Sequence, residues 1–132
     1  MPSFKKYFTP KEANKRLPYV KKIVREILEK AESLRRLLQE NPSSDVSSEA
    51  GILQDEMGML MHELEDLGCF YKDWSFGMGL VDFPALIDGQ EVLLCWRSDE
   101  LEILWYHGLD NGFAGRRPIP TRWLLGEDWK SQ

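Results

Sequence analysis

The spacing of apolar residues changes period along the chain. From Ala13 they recur at Leu17, Val20, Val24, Ile27, Ala31, Leu34 and Leu38, in steps of four and three. That is the heptad seam of an amphipathic helix. Thr9-Pro10-Lys11-Glu12 supplies its start: a capping hydroxyl, a proline suited to the first helical position, and a carboxylate placed to close a capping box. Pro18 falls inside the seam. A proline there predicts a short helix to about Arg16, a kink, and a long helix from Pro18 to about Gln39.

The stretch "ENPSSDVSSEAG" is loop chemistry and ends the first seam. A second helix is expected from near Ser47 or Ser48, with Ala50, Leu53, Met57, Leu60, Leu64 and Leu67 as its seam and Gly68 as a left-handed cap. Two seams joined by a short loop predict an antiparallel helical hairpin over residues 9–68. Met57, Met59 and Met61 do not share one helix face, so they read as packing methionines rather than a metal box.

From Gly79 the period becomes two. "LVDFPALI", Asp88-Gly89, "QEVLLCWR", Ser98-Asp99-Glu100 and "LEILWYH" follow one another. Strand, hairpin turn, strand, turn, strand predicts a three-stranded antiparallel meander over 79–107. Pro84 marks the first strand as an edge. Residues 108–132 read as an irregular tail whose Trp123, Leu124, Leu125 and Trp129 dock on the domain or cover a neighbouring subunit. The fold class is therefore α+β: one domain over 1–132, a helical hairpin with a short kinked N-terminal helix, packed on a three-stranded antiparallel β-meander.

The turns set the register. A two-residue turn at Asp88-Gly89 pairs Ile87 with Gln90 and puts Asp82 opposite Cys95. A second tight turn, pairing Arg97 with Glu100, puts Cys95 opposite Glu102. One face then carries Val81, Phe83, Ala85, Ile87, Val92, Leu94, Trp96, Leu101, Ile103, Trp105 and His107, and packs on the helices. The other carries Asp82, Cys95 and Glu102 in one row. Two carboxylates flanking a thiol can hold a divalent metal; the simpler reading of the same row is a solvated sheet face with Arg97 neutralising the acids. That placement of Glu102 depends on the second turn, because a one-residue slip moves it to the opposite face.

His107, Asp110 and Arg116 are a candidate ligand-binding group at the rim: His-x-x-Asp can orient an imidazole, and the arginine can hold an anion. A structural histidine is the plainer alternative. His62 and Asp66, one helical turn apart, are a second possible ligand pair, set in an acidic helix surface. "GFAGRR" has neither the Gly-Lys-Ser/Thr ending of a P-loop nor a dinucleotide fingerprint, and the chain has no Cys-x-x-Cys.

Composition narrows the class. Apolar residues are 42% and charged residues 30%, the balance of a globular domain. No run of about 18 apolar residues exists, so no membrane span is expected. "MPSFKKYFTP" lacks the apolar core of a signal peptide, and two cysteines make no disulfide framework; a cytoplasmic protein is expected. The net charge of −5 is unevenly spread. Lysines and arginines concentrate in the first helix, including Lys15, Arg16, Lys21, Lys22 and Arg25, and acids dominate after it. Overall acidity argues against nucleic acid; basic and acidic helices that pair with each other or with a second copy fit better.

"YFTPKEAN" at 7–14, "GLVDFPAL" at 79–86, "LLCW" at 93–96, "WYH" at 105–107 and "GFAGR" at 112–116, in this order, resemble the bacterial family of unknown function numbered 2203. The resemblance spans about residues 7–119. It implies a small cytoplasmic protein with a helical first half and a β-rich second half, and brings no established activity. The family's Asp, Cys-Trp, His and Gly-Arg positions match Asp82, Cys95-Trp96, His107 and Gly115-Arg116 here. Where the family more often has Gly-Glu between the second and third strands, this chain has Asp99-Glu100, so the turn that sets Glu102 departs from the family.

Two long seams offer more apolar helix surface than one thin sheet covers, so a homodimer through the helices is expected. The first functional expectation is a non-catalytic homodimeric binding or assembly module. The alternative is a metal-dependent or acid–base enzyme with its site around Asp82, Cys95, Glu102 and His107.

Overall fold

The computed structural model describes residues 3–42 and 45–126. The first helix, α1, runs unbroken over Pro10–Glu40. The Thr9 hydroxyl accepts from the Glu12 amide and the Glu12 carboxylate accepts from the Thr9 amide, which closes the expected capping box. The kink expected at Pro18 does not divide the helix. Pro18 is exposed. The carbonyl it strands one turn earlier can therefore face water, and the packed residues on either side, Leu17 and Val20, hold the helix together.

The second helix, α2, spans Ser47–Leu67 and ends on Gly68 at φ +99°. Positive φ is inexpensive for glycine, and the Gly68 amide donates back to Glu65, satisfying an orphan carbonyl. α1 buries Leu17, Val20, Ile23, Val24 and Ile27. Fully burying one such side chain is worth about 1.5–3 kcal/mol. α2 buries only Met57 and Leu64 completely.

The sheet has five antiparallel strands in chain order: β1 Phe70–Tyr71, β2 Leu80–Ile87, β3 Gln90–Arg97, β4 Trp105–Gly108 and β5 Arg117–Pro118. The Asp88-Gly89 turn has φ +50° and +79° and pairs Ile87 with Gln90, as the two-residue turn requires. β2 is not the outermost strand. β1 reaches only Val81 and Asp82, however, so Pro84 needs no donor, and its carbonyl accepts from the Phe8 amide at 2.7 Å.

The third expected strand starts four residues late. Residues 98–104 form a loop that opens with the expected tight turn: the Glu100 amide donates to the Arg97 carbonyl at 2.9 Å across Ser98-Asp99, and residues 101–104 then leave the ladder before β4 begins. Asn14 is the cause. Its side-chain oxygen accepts from the Ile103 amide at 2.8 Å, and its nitrogen donates to the Ile103 carbonyl at 3.2 Å. The amide side chain thus takes both backbone bonds that Ile103 would give a neighbouring strand, and ties the loop to α1. Trp96 donates its indole N–H to the Glu100 carbonyl and closes the near end of the loop.

Val81, Phe83, Ala85, Val92, Leu94 and Trp96 face the helices and are buried. The other face is not solvated: Leu86, Leu93, Asp82, Cys95 and His107 are buried there too. Two irregular segments cover it. From one side, Ser3 donates its amide and hydroxyl to Glu91, the Tyr7 hydroxyl donates to the same carboxylate, and Phe4 packs on Phe70. From the other, the one-turn helix Phe113–Gly115 lays Phe113 beneath the Arg97 and Arg116 guanidinium groups. The tail forms one short helix, α3, at Thr121–Leu124; Trp123 lies 6.3 Å from the Tyr106 ring, and Trp129 falls outside the described residues.

The Tyr71 hydroxyl is buried with no hydrogen-bond partner among the described residues. A stranded hydroxyl costs about 1–3 kcal/mol. Tyr71→Phe is therefore expected to raise stability by about 1 kcal/mol in urea unfolding. A loss of stability would mean that an ordered water satisfies the hydroxyl.

A candidate metal centre on the buried sheet face

Asp82 and Cys95 face each other across β2 and β3, as the Asp88-Gly89 turn dictates. Glu102 does not join them. It lies exposed in the 98–104 loop, in a surface cleft with Lys11, Asn14 and Lys15. The residue opposite Cys95 is Trp105. Moving from Glu102 to Trp105 is a shift of three, an odd number, so every side chain of β4 changes face. His107, expected among the apolar residues, therefore arrives on the side of Asp82 and Cys95.

The three residues form a cluster. Their donor atoms all lie within 4.8 Å of one another. The Asp82 and His107 side chains are 6% and 4% exposed, and Cys95 is 1% exposed. His107 Nε2 is 3.3 Å from Asp82 Oδ1, and Nδ1 is 2.8 Å from the carbonyl of Gly108. A carbonyl only accepts, so Nδ1 carries a proton and donates. Nε2 is then the atom aimed at the carboxylate and thiol. Opposite a buried carboxylate it holds either a second proton or a bound cation.

With the proton, the site is an imidazolium–carboxylate pair. The His107 pKa is raised to about 10, first by the hydrogen bond with Asp82 and next by the Cys95 side chain, while burial opposes the shift. With a cation, it is three-fourths of a metal site. The edge of a tetrahedron with zinc–ligand bonds of about 2.0–2.3 Å is about 3.3–3.7 Å. The Nε2–Oδ1 distance already fits this, while a span of up to 4.8 Å within the cluster would have to close by about 1 Å around a zinc ion. Carboxylate, thiolate and imidazole are all ordinary zinc donors. The Nδ1–carbonyl bond is the usual outer support that fixes a ligating imidazole.

The expected rim group divides. Asp110 is exposed, and among the described residues no hydrogen bond or ion pair joins it to His107; the Gly108 carbonyl orients the ring instead. Sequence carried no signal for that role, because the atom belongs to the backbone. Arg116 is held by Glu100 at 2.6 Å and lies over the Trp105 and Phe113 rings. Its Nε is buried without a hydrogen-bond partner among the described residues. His62 sits 3.8 Å from Glu65 and 3.6 Å from Asp66 on the exposed face of α2, where its side chain is 73% exposed. The second cysteine, Cys69, is separate: it packs in the core, burial pushes its thiol up to about 12, and its sulfur donates to the Leu64 carbonyl at 3.4 Å.

No helix among the described residues is long and apolar enough to cross a membrane. No curated protein and no solved structure matches the chain. Residues 6–119 match a family described as an uncharacterized conserved protein, DUF2203, and that span includes the whole cluster. The match covers most of the chain, and the protein belongs to the DUF2203 family.

Proposed function

We propose that this protein binds a divalent transition metal, with zinc the best chemical fit, through Asp82, Cys95 and His107. The observation that carries the reading is the orientation of His107. Its Nδ1 is committed to the Gly108 carbonyl, which leaves Nε2 directed at a carboxylate and a thiol in a buried site. A mixed oxygen, sulfur and nitrogen set suits zinc and its neighbours rather than magnesium or calcium, which take oxygen alone.

Three protein ligands leave one coordination position for water or substrate, the composition of catalytic zinc sites rather than closed structural ones. A metal held there would lower the pKa of a bound water or polarise a substrate oxygen. The protein's part is to set the donors. Gly108 fixes the imidazole, the β2–β3 ladder fixes Asp82 against Cys95, and the segments around Phe4 and Phe113 keep water off the face.

Cobalt(II) titration of the full chain tests this. One equivalent is expected to bind and to give the near-ultraviolet sulfur-to-cobalt charge-transfer band of a thiolate ligand, displaced by added zinc. Absence of both binding and band would end the reading.

A further inference from the structure

Beyond the metal site, α2 presents a second heptad row away from α1: Ile52, Asp55, Met59, His62 and Asp66, in steps of three and four. Ile52 is 59% and Met59 71% exposed. Gly51 and Gly58 lie one heptad apart beside this row, and nothing comes within 4 Å of where a Cβ would stand at either. Neither has positive φ. Glycine is the poorest helix former after proline, and no contact among the described residues explains it at these two positions. Glycine on an open helix face lets another backbone approach closely. A groove of about 670 Å³ runs along Asp55, Gly58, Met59 and His62.

Charge indicates what fills it. α2 has six acids and no lysine or arginine. The first half of α1 exposes Lys15, Lys22 and Arg25, none of which has an acidic partner among the described residues. One ion pair joins the two helices among those residues, Lys30–Glu56 at 3.4 Å. The acidic and basic surfaces are therefore not neutralised within the chain.

We propose that the outer face of α2 is an interface with a second copy of this chain. It packs against the basic half of that copy's α1, so that two hairpins form a four-helix bundle. A two-fold axis repeats each acidic–basic contact, which closes the assembly as a dimer. Apolar Ile52 and Met59 form its centre, with charges at the rim, the usual layout of such an interface.

Sedimentation equilibrium of the full chain at micromolar concentration and low salt is the test. The mass expected is twice the 15.4 kDa of the chain. Gly58→Ala, which favours the helix itself, should still weaken the dimer roughly tenfold or more, as should Met59→Glu. Lys22→Glu with Arg25→Glu should dissociate it, and adding Asp55→Lys with Asp66→Lys should restore it. A monomer under these conditions overturns the proposal. So does a dimer indifferent to Lys22 and Arg25, since that would set α2 against α2.

Discussion

Cys95→Ala should lower metal affinity by more than the roughly 10–100-fold lost when only an outer supporting partner is removed. It should do so with little loss of fold. The thiol is small, and the Asp82–His107 pair stays in place. His107→Ala should also abolish binding, but at a larger structural cost. It leaves a carboxylate that is 6% exposed without its cation. Removing one partner of a buried pair costs about 3–5 kcal/mol, against a total stability of about 5–15 kcal/mol for a domain. The two variants separate ligation from support. In wild type, metal at a hundredfold excess over its dissociation constant should add about 2.7 kcal/mol to unfolding stability. Cys95→Ala should lose that increment and keep most of the metal-free stability. Wild-type affinity in Cys95→Ala would remove the thiolate from the site.

In chelator-treated protein the same cluster should make stability fall as pH rises. The His107 pKa is raised to about 10 from 6.5, chiefly by Asp82, so the native state holds the proton more tightly than the unfolded chain. The resulting stabilisation is complete below about pH 6.5 and is lost as pH rises through about 10. Asp82→Asn removes the main cause. At pH 6 the variant should be less stable than wild type by up to about 3–5 kcal/mol, and the gap should close toward pH 10. Urea midpoints at several pH values, with wild type and Asp82→Asn side by side, cancel the other groups that titrate in this range. A gap constant with pH would mean that the pair is not ionised. With metal in place of the Nε2 proton, the downward slope should disappear, because ligands bind metal in their deprotonated forms.

Local signals determined much of this molecule. The Thr9–Glu12 capping box, the Gly68 cap and the two heptad seams were legible because each depends on residues within a few positions of one another. The same holds for Asp82 opposite Cys95, which follows by counting from the Asp88-Gly89 turn. Two of the three cluster residues were thus paired by sequence alone.

Distant contacts decided the third. Asn14 and Ile103 are 89 positions apart, yet their hydrogen bonds hold the chain out of the ladder after the Ser98-Asp99 turn, and β4 resumes with its faces reversed. That reversal brings His107 to the cluster and leaves Glu102 outside it, and no periodicity along β4 encodes it. Pro18 was read as a break between two helices, but packing on both sides keeps α1 whole. The Asp82 face was legible as polar. Its burial beneath the segments around Phe4 and Phe113 was not, because cover by irregular chain follows no repeat. Sequence determined which residues carry the chemistry and how β2 meets β3. The tertiary structure decided which of them meet, because register beyond a tight turn is set by whatever side chain competes for the strand's hydrogen bonds.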